Sequence, residues 1–175
     1  MFCAPIGVGG YLARMTDSNP HPSVTIETNH GAFTVELWED VAPNHAENFL
    51  DLARNEFYDG VVFHRIIPGF MIQGGCPDGT GTGGGPRRLE AEFNDREHQP
   101  GVLSMARSAD PNSASSQFFV CLTREHCRHL DGEYTAFGKV VDGMDVVEKI
   151  AAIDVDQSGR ALGDMPTMTA VRPVE

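Results

Sequence analysis

The segment FHRIIPGFMIQGG, Phe63 to Gly75, sets one arginine among β-branched and aromatic residues that otherwise read as a buried strand. Arg65 carries a charge that is never neutralised in a protein, so its place in the most apolar segment demands either a partner or a purpose. A buried ion pair with one of the many carboxylates is one reading. The other is a concave apolar face with a few convergent donors, in which Arg65, Gln73 and Gln117 stand among Phe63, Phe70, Met71 and Phe119. Such a face suits an uncharged, partly apolar ligand. Its second half comes from MARSADPNSASSQFF, Met105 to Phe119, a β-rich piece that also ends in a glutamine followed by aromatics.

Other motifs carry less. DGTGTGGGP, Asp78 to Pro86, has the glycines of a phosphate loop but lacks the Gly-Lys-Ser/Thr ending and a following helix, so a mobile surface loop is expected. DVDQSG, Asp154 to Gly159, imitates the start of a calcium loop, yet Met165 at the twelfth position cannot supply a bidentate carboxylate, which leaves a solvated turn. In EHCRH, His126, Cys127 and His129 lie close together without a second ligand cluster and read as loop residues, not as a metal site. No nucleophile-elbow signature or cysteine motif supports covalent catalysis.

The elements that must position these residues follow from hydrophobic spacing. VTIETNHGAFTVELW alternates with period two around an Asn-His-Gly turn, which predicts a β-hairpin with one buried face. Ala46, Phe49, Leu50 and Ala53 form a helical stripe after Pro43, so a helix is predicted from Pro43 to Asn55. Short β-rich pieces follow: GVVFHRII, GFMIQGG, GVLSMA, SQFFVCL and YTAFGKVV, each bounded by turn residues. MDVVEKIAAI has helical spacing, and MTAVRPV closes the chain as a strand. Many short strands with two helices predict an antiparallel sheet or barrel, not a doubly wound fold.

The 175 residues suffice for one domain with a full core, and 41% hydrophobic with 22% charged residues is ordinary for a globular protein. Thirteen basic against twenty-five acidic residues give a net charge of −12, which repels a phosphate backbone and argues against a nucleic-acid partner. No apolar run approaches the ~18 residues that would span a membrane. The four cysteines, Cys3, Cys76, Cys121 and Cys127, show no Cys-x-x-Cys pair and are expected as free thiols. MFCAPIGVGGYLAR lacks a basic region ahead of its apolar residues, so it is not read as a signal peptide, and a cytoplasmic address is expected. Its fourteen residues are either a flexible tail or an over-long start. Residues 1–22 are expected as a flexible extension and residues 23–175 as the folded domain.

FHRIIPGFMIQGG, SQFF and LDGEYTAFGKVVDGMDVVEKI closely resemble the cyclophilin peptidyl-prolyl cis-trans isomerases, in order from about Val24 to Val174. MARSADPNSASSQFF is similar to the single-domain bacterial-type members in particular. The resemblance implies a closed eight-stranded antiparallel barrel capped by two helices. It also implies catalysis by Arg65 with Phe70 and Gln73 beside it, and a proline-ring pocket on Phe70, Met71, Phe119 and Leu130. Gln73 and Gln117 fall on the family's substrate-binding glutamines, and Ala106 and Arg107 on the strand that pairs with the substrate backbone. Arg107 replaces a common asparagine, in a contact made largely through the backbone.

His129 and Tyr134 also line the implied groove, where the best-known members carry tryptophan and histidine; weak binding of the inhibitor ciclosporin is therefore expected. The implied partners are proline-containing peptides and unfolded or flexible protein segments, with no metal or organic cofactor and a monomeric state. Two rival readings remain at this level: a proline-peptide binding module without turnover, and a chaperone that would not need Arg65.

Overall fold

The computed structural model describes residues 21–175. Cys3 and most of the expected extension 1–22 lie outside them; Pro22, at its end, accepts a hydrogen bond from the Leu37 N–H at 2.8 Å. The period-two segment forms the predicted hairpin, β1 (Ser23–Thr28) and β2 (Gly31–Leu37), paired from Ser23 opposite Glu36 to Thr28 opposite Gly31. Val24, Ile26, Phe33, Val35 and Leu37 all point inward and are buried. Thr28 closes the turn, its hydroxyl donating to the Gly31 carbonyl and accepting from the His30 N–H.

Helix α1 (Pro43–Arg54) begins with proline and has no capping side chain of its own at Ala42. Glu92 supplies the cap from a distant loop: its carboxylate accepts from the main-chain N–H groups of Asn44 and His45, at 3.1 and 3.0 Å. That placement suits the positive end of the helix dipole. The stripe on α1 then buries Ala46, Phe49, Leu50 and Ala53 against the sheet.

The remaining strands are β3 (Arg65–Ile67), β4 (Met71–Gly74), β5 (Val102–Met105), β6 (Phe118–Cys121), β7 (Ala136–Asp142) and β8 (Met168–Pro173). Helix α2 (Arg124–Cys127) runs into a 3-10 turn at Arg128–Leu130, and α3 (Met144–Ala151) lies between β7 and β8. Gly143 precedes α3 at φ 83°, and a Cβ there would stand 2.6 Å from the Ala32 carbonyl oxygen, so the close approach of this turn to β2 requires glycine.

All eight strands are antiparallel neighbours in one curled sheet, in the order β3-β4-β6-β5-β7-β2-β1-β8. The expected closed barrel is corrected to a half-barrel, because β3 and β8 form no ladder with each other. β3 is only three residues long and is followed by Pro68, which has no N–H to offer. An irregular segment crosses the gap instead, with Gly60, Phe63 and Met168 donating N–H to the carbonyls of Met168, Pro166 and Val61 at 2.8, 2.8 and 2.9 Å.

The expectation of two helices is also corrected, since α2 is a third. EHCRH forms part of it because Thr123 caps it, accepting from the His126 N–H. The main core lies inside the curl, centred on Phe49, which meets Tyr58, Phe118 and Phe137 at ring distances of 5.1, 5.2 and 5.5 Å. A second apolar cluster on the outer face joins Met71, Phe119, Leu130 and Ala136 to Trp38 and Cys121.

Candidate active site

Strand alternation divides the two clusters. In β4, Ile72 enters the inner core while Met71 belongs to the outer cluster; in β6, Phe118 and Val120 point inward while Phe119 and Cys121 face out. The register sets Gln73 opposite both Arg65 and Phe119, so an arginine, a glutamine and an aromatic ring stand side by side across β3, β4 and β6. The result is a groove of about 340 Å³ lined by Arg65, Phe70, Met71, Gln73, Ala106, Arg107, Phe119, His129, Leu130 and Tyr134.

Every site residue expected from the sequence except Gln117 and Phe63 lines this groove. Gln117 borders an adjoining polar cavity of about 310 Å³, and its Oε1 accepts from Gln73 Nε2 at 3.1 Å. Phe63, in contrast, points into the inner core and meets Phe118. The two apolar strands thus present opposite faces: one makes the core, the other the floor of the groove.

Arg65 is exposed and forms none of the ion pairs found among the described residues, whereas Arg88, Arg96, Arg124 and Arg172 each reach a carboxylate. The ion-pair reading of Arg65 therefore gives way to the open groove. Beside it His64 is buried, and burial, followed by the charges of Arg160 and Arg65, holds its pKa below the ordinary histidine value.

The Gly-rich segment is not a free loop. Gln117 Nε2 donates to the carbonyls of Gly81 and Gly83 at 2.9 and 2.7 Å, and the buried Cys76 Sγ accepts from their N–H groups at 3.3 and 3.2 Å. Burial raises the Cys76 pKa, but the N–H groups of Thr80, Gly81, Gly83 and Asp78 outweigh it and hold the thiol below its ordinary value. So fixed, Gly81 to Gly84 make one wall of the polar cavity, with Ser108, Ser113 and Ser115 on the other side. Those residues had no signal in the sequence beyond small size and turn character.

A second arrangement was also hidden from the sequence. Asp131 Oδ1 accepts from the His98 ring at 3.0 Å, and His98 Nε2 meets Ser104 Oγ at 2.8 Å, in the order of a hydrolase triad. Ser104 is fully buried, however, so no substrate reaches its hydroxyl. The hydrogen-bonded series instead stands behind the groove: the His98 ring stacks 6.4 Å from Phe119, and Asp131 follows Leu130 in sequence. Arg124 donates to Asp131 at 2.6 Å and keeps that carboxylate ionised well below the usual range. Burial, opposed by Asp131, lowers the pKa of His98, so the ring is neutral, with Nδ1–H donating to Asp131 and Nε2 accepting from Ser104.

EHCRH also separates by partner: His126 Nδ1 meets Thr123 Oγ1, Cys127 Sγ donates to the Phe70 carbonyl, and His129 stands 5.9 Å from the Phe70 ring. DVDQSG is a turn closed by Asp156, whose Oδ1 accepts from the N–H groups of Ser158 and Arg160 and from the Ser158 hydroxyl. Cys76, Cys121 and Cys127 are free thiols.

Residues 23–172 match the family described as cyclophilin type peptidyl-prolyl cis-trans isomerase/CLD. The chain belongs to this family. A peptidyl-prolyl cis-trans isomerase of Helicobacter pylori is 46% identical over 138 residues, covering 77% of this chain and 83% of that one. Another from Synechococcus elongatus is 49% identical over 117 residues, 67% of this chain and 79% of its own. The solved cyclophilin-type isomerase of Cryptosporidium parvum superposes with a TM-score of 0.83 at 33% identity, covering 89% of this chain and 98% of that one. The same protein has been solved in the presence of the dipeptide Ala-Pro, with a TM-score of 0.82 to this chain. This cyclophilin is thus an enzyme of the peptidyl-prolyl cis-trans isomerase class.

Proposed function

We propose that the groove binds proline-containing peptide segments and that Arg65 accelerates rotation about the Xaa-Pro bond by hydrogen bonding to the prolyl nitrogen in the transition state. The observation that carries this reading is an exposed guanidinium without a carboxylate partner among the described residues, at the rim of a groove whose floor is Phe70, Met71, Phe119 and Leu130.

The planar amide shares its nitrogen lone pair with the carbonyl, which sets a barrier of ~20 kcal/mol and an uncatalysed rate on the order of 0.01 per second. At the ninety-degree twist that conjugation is lost, the nitrogen becomes pyramidal, and its lone pair accepts a hydrogen bond that the ground state cannot. A donor aimed there stabilises the transition state selectively, which is what raises turnover. No proton is transferred and no covalent bond breaks.

One such donor supplies roughly 3–4 kcal/mol, short of the ~5.5 kcal/mol that a ten-thousandfold acceleration needs. The rest comes from orientation and desolvation: Phe70, Met71, Phe119 and Leu130 hold the ring. Gln73, tied to Gln117, and the Arg107 main chain hold the peptide. The Ala106 N–H is already bonded to the Gln117 carbonyl, so the main-chain N–H offered to substrate on this segment is that of Arg107.

Exchange NMR on a short Xaa-Pro peptide with the parent protein and Arg65→Ala tests the division of roles. Turnover is expected to fall about a hundredfold while peptide affinity changes little; equal losses in both would sink it. Binding by the parent without faster exchange would favour the module without turnover, and full holdase activity in Arg65→Ala would favour the chaperone.

A further inference from the structure

Arg107 has a built position that its main-chain role does not require. Its Nε and Nη2 both donate to the Glu133 carbonyl, at 3.1 and 2.8 Å, and Nη1 donates to the Ser108 carbonyl at 3.0 Å. The guanidinium carbon lies 4.4 Å from the centre of the Tyr134 ring, within cation–π range. Tyr134 in turn stands edge-on to Phe119, 5.9 Å away, so the clamp is continuous with the proline pocket. A guanidinium has five N–H groups. Three are engaged here, and the terminal nitrogens keep two for a ligand.

The charge at this position is not compensated. Arg107 forms none of the ion pairs found among the described residues: it meets Glu133 only through the main-chain carbonyl, while Asp110 pairs with Arg88 and Asp131 with Arg124 and His98. Arg107 borders both the proline groove and the adjoining polar cavity, and among the described residues it is the only charged one lining the latter. Among the described residues no carboxylate lines either cavity, in a chain whose net charge is −12.

We propose that the side chain of Arg107, fixed over Tyr134 between the two cavities, makes this enzyme prefer substrates with an aspartate or glutamate close to the proline. The proposal rests on the isomerase reading of the groove and adds a charge preference to it. Clamped by two carbonyls and a ring, the guanidinium has lost most of its rotamer freedom before substrate arrives, so pairing with a carboxylate costs little further entropy. At such a partly exposed site the pairing is worth about a threefold preference, within the range for ion pairs near a surface. The polar cavity, with its serines and Thr82, leaves room for the carboxylate to stay hydrated.

The test walks glutamate, glutamine or lysine through the two positions before and the two positions after a single proline. Exchange rates and, by chemical-shift titration, affinities are read at 0.15 M salt, where the net charge of the protein is screened beyond about 8 Å. At one position glutamate is expected to exceed glutamine by about threefold in kcat/KM or affinity, with lysine below both, and Arg107→Gln is expected to bring the glutamate-to-glutamine ratio to one. Equal values at all four positions, or a ratio that survives Arg107→Gln, would overturn the proposal. If no peptide exchanges faster, the isomerase reading fails by itself, and the affinity ratio still decides the role of Arg107.

Discussion

Gly159→Ala probes how the edge strand that carries Arg65 is held. β3 is the outermost strand of the sheet, and on its open side the turn 154–159 takes the place of a neighbour: the Ile66 N–H donates to the Gly159 carbonyl at 2.7 Å. Gly159 has φ 87°, and an added Cβ would stand 2.7 Å from the Ile66 carbonyl oxygen and 3.3 Å from Arg65 Cγ. Alanine in the left-handed region costs about 1–2 kcal/mol, and an overlap with a main-chain oxygen cannot be relieved by turning a side chain. The turn must leave the strand, which forfeits a hydrogen bond worth about 1 kcal/mol net.

Together these lower stability by roughly 2 kcal/mol, or about 6 °C in Tm for a domain of this size. The proline pocket is built on β4, β6 and the turn at Leu130, so substrate binding should hold while Arg65 shifts with its strand. A displacement of that kind is expected to reduce kcat about tenfold, or ~1.4 kcal/mol of barrier, with KM nearly unchanged. Exchange NMR and thermal unfolding measure the two effects, with Gly163→Ala as the comparison, since a Cβ there meets nothing within 4 Å. A Gly159→Ala protein with the Tm and kcat of its parent would show that the turn does not position Arg65.

Three further outcomes follow from the same geometry. Burial lowers the pKa of His45, His64 and His98, so below the ordinary value of about 6.5 the unfolded chain binds more protons than the native state; stability should be intact above that pH and fall beneath it. Urea midpoints at pH 7.5 and 5 measure the drop, and His98→Gln should flatten it; a midpoint independent of pH over this window would refute the assignment of neutral histidines. Phe49→Ala, at the centre of the inner core, should cost about 3–5 kcal/mol in urea unfolding, and a loss under 1 kcal/mol would mean the core closes over the cavity. Ciclosporin should bind weakly in calorimetry and more tightly after His129→Trp, because the exposed imidazole beside Phe70 replaces the tryptophan donor found in the best-known family members; tight binding by the parent would refute this.

Most of the groove was legible because its residues are consecutive in short strands. Arg65, Phe70, Met71 and Gln73 announce themselves as polar exceptions and aromatics within one segment, and the two-residue period of β6 already separates Phe119 from Phe118. The period-two hairpin and the stripe of α1 are equally local, since each depends on which face of one element meets the core. These patterns determined the elements, the motifs and the family resemblance.

What only the tertiary structure decided depends on groups far apart in the chain. Whether Arg65 is paired, which loop carbonyls Gln117 reaches, and how His98, Ser104 and Asp131 meet are set by where distant segments come to rest. The cap of α1 by Glu92 and the clamp of Arg107 by Glu133 and Tyr134 are of the same kind. The open edge between β3 and β8 is another such outcome, because closure requires two strand edges to present matched N–H and carbonyl rows at one place. Local spacing specifies which side of a strand is apolar; it carries no information about which remote donor will satisfy a given acceptor, and that pairing is what turned an apolar groove with one odd arginine into a site.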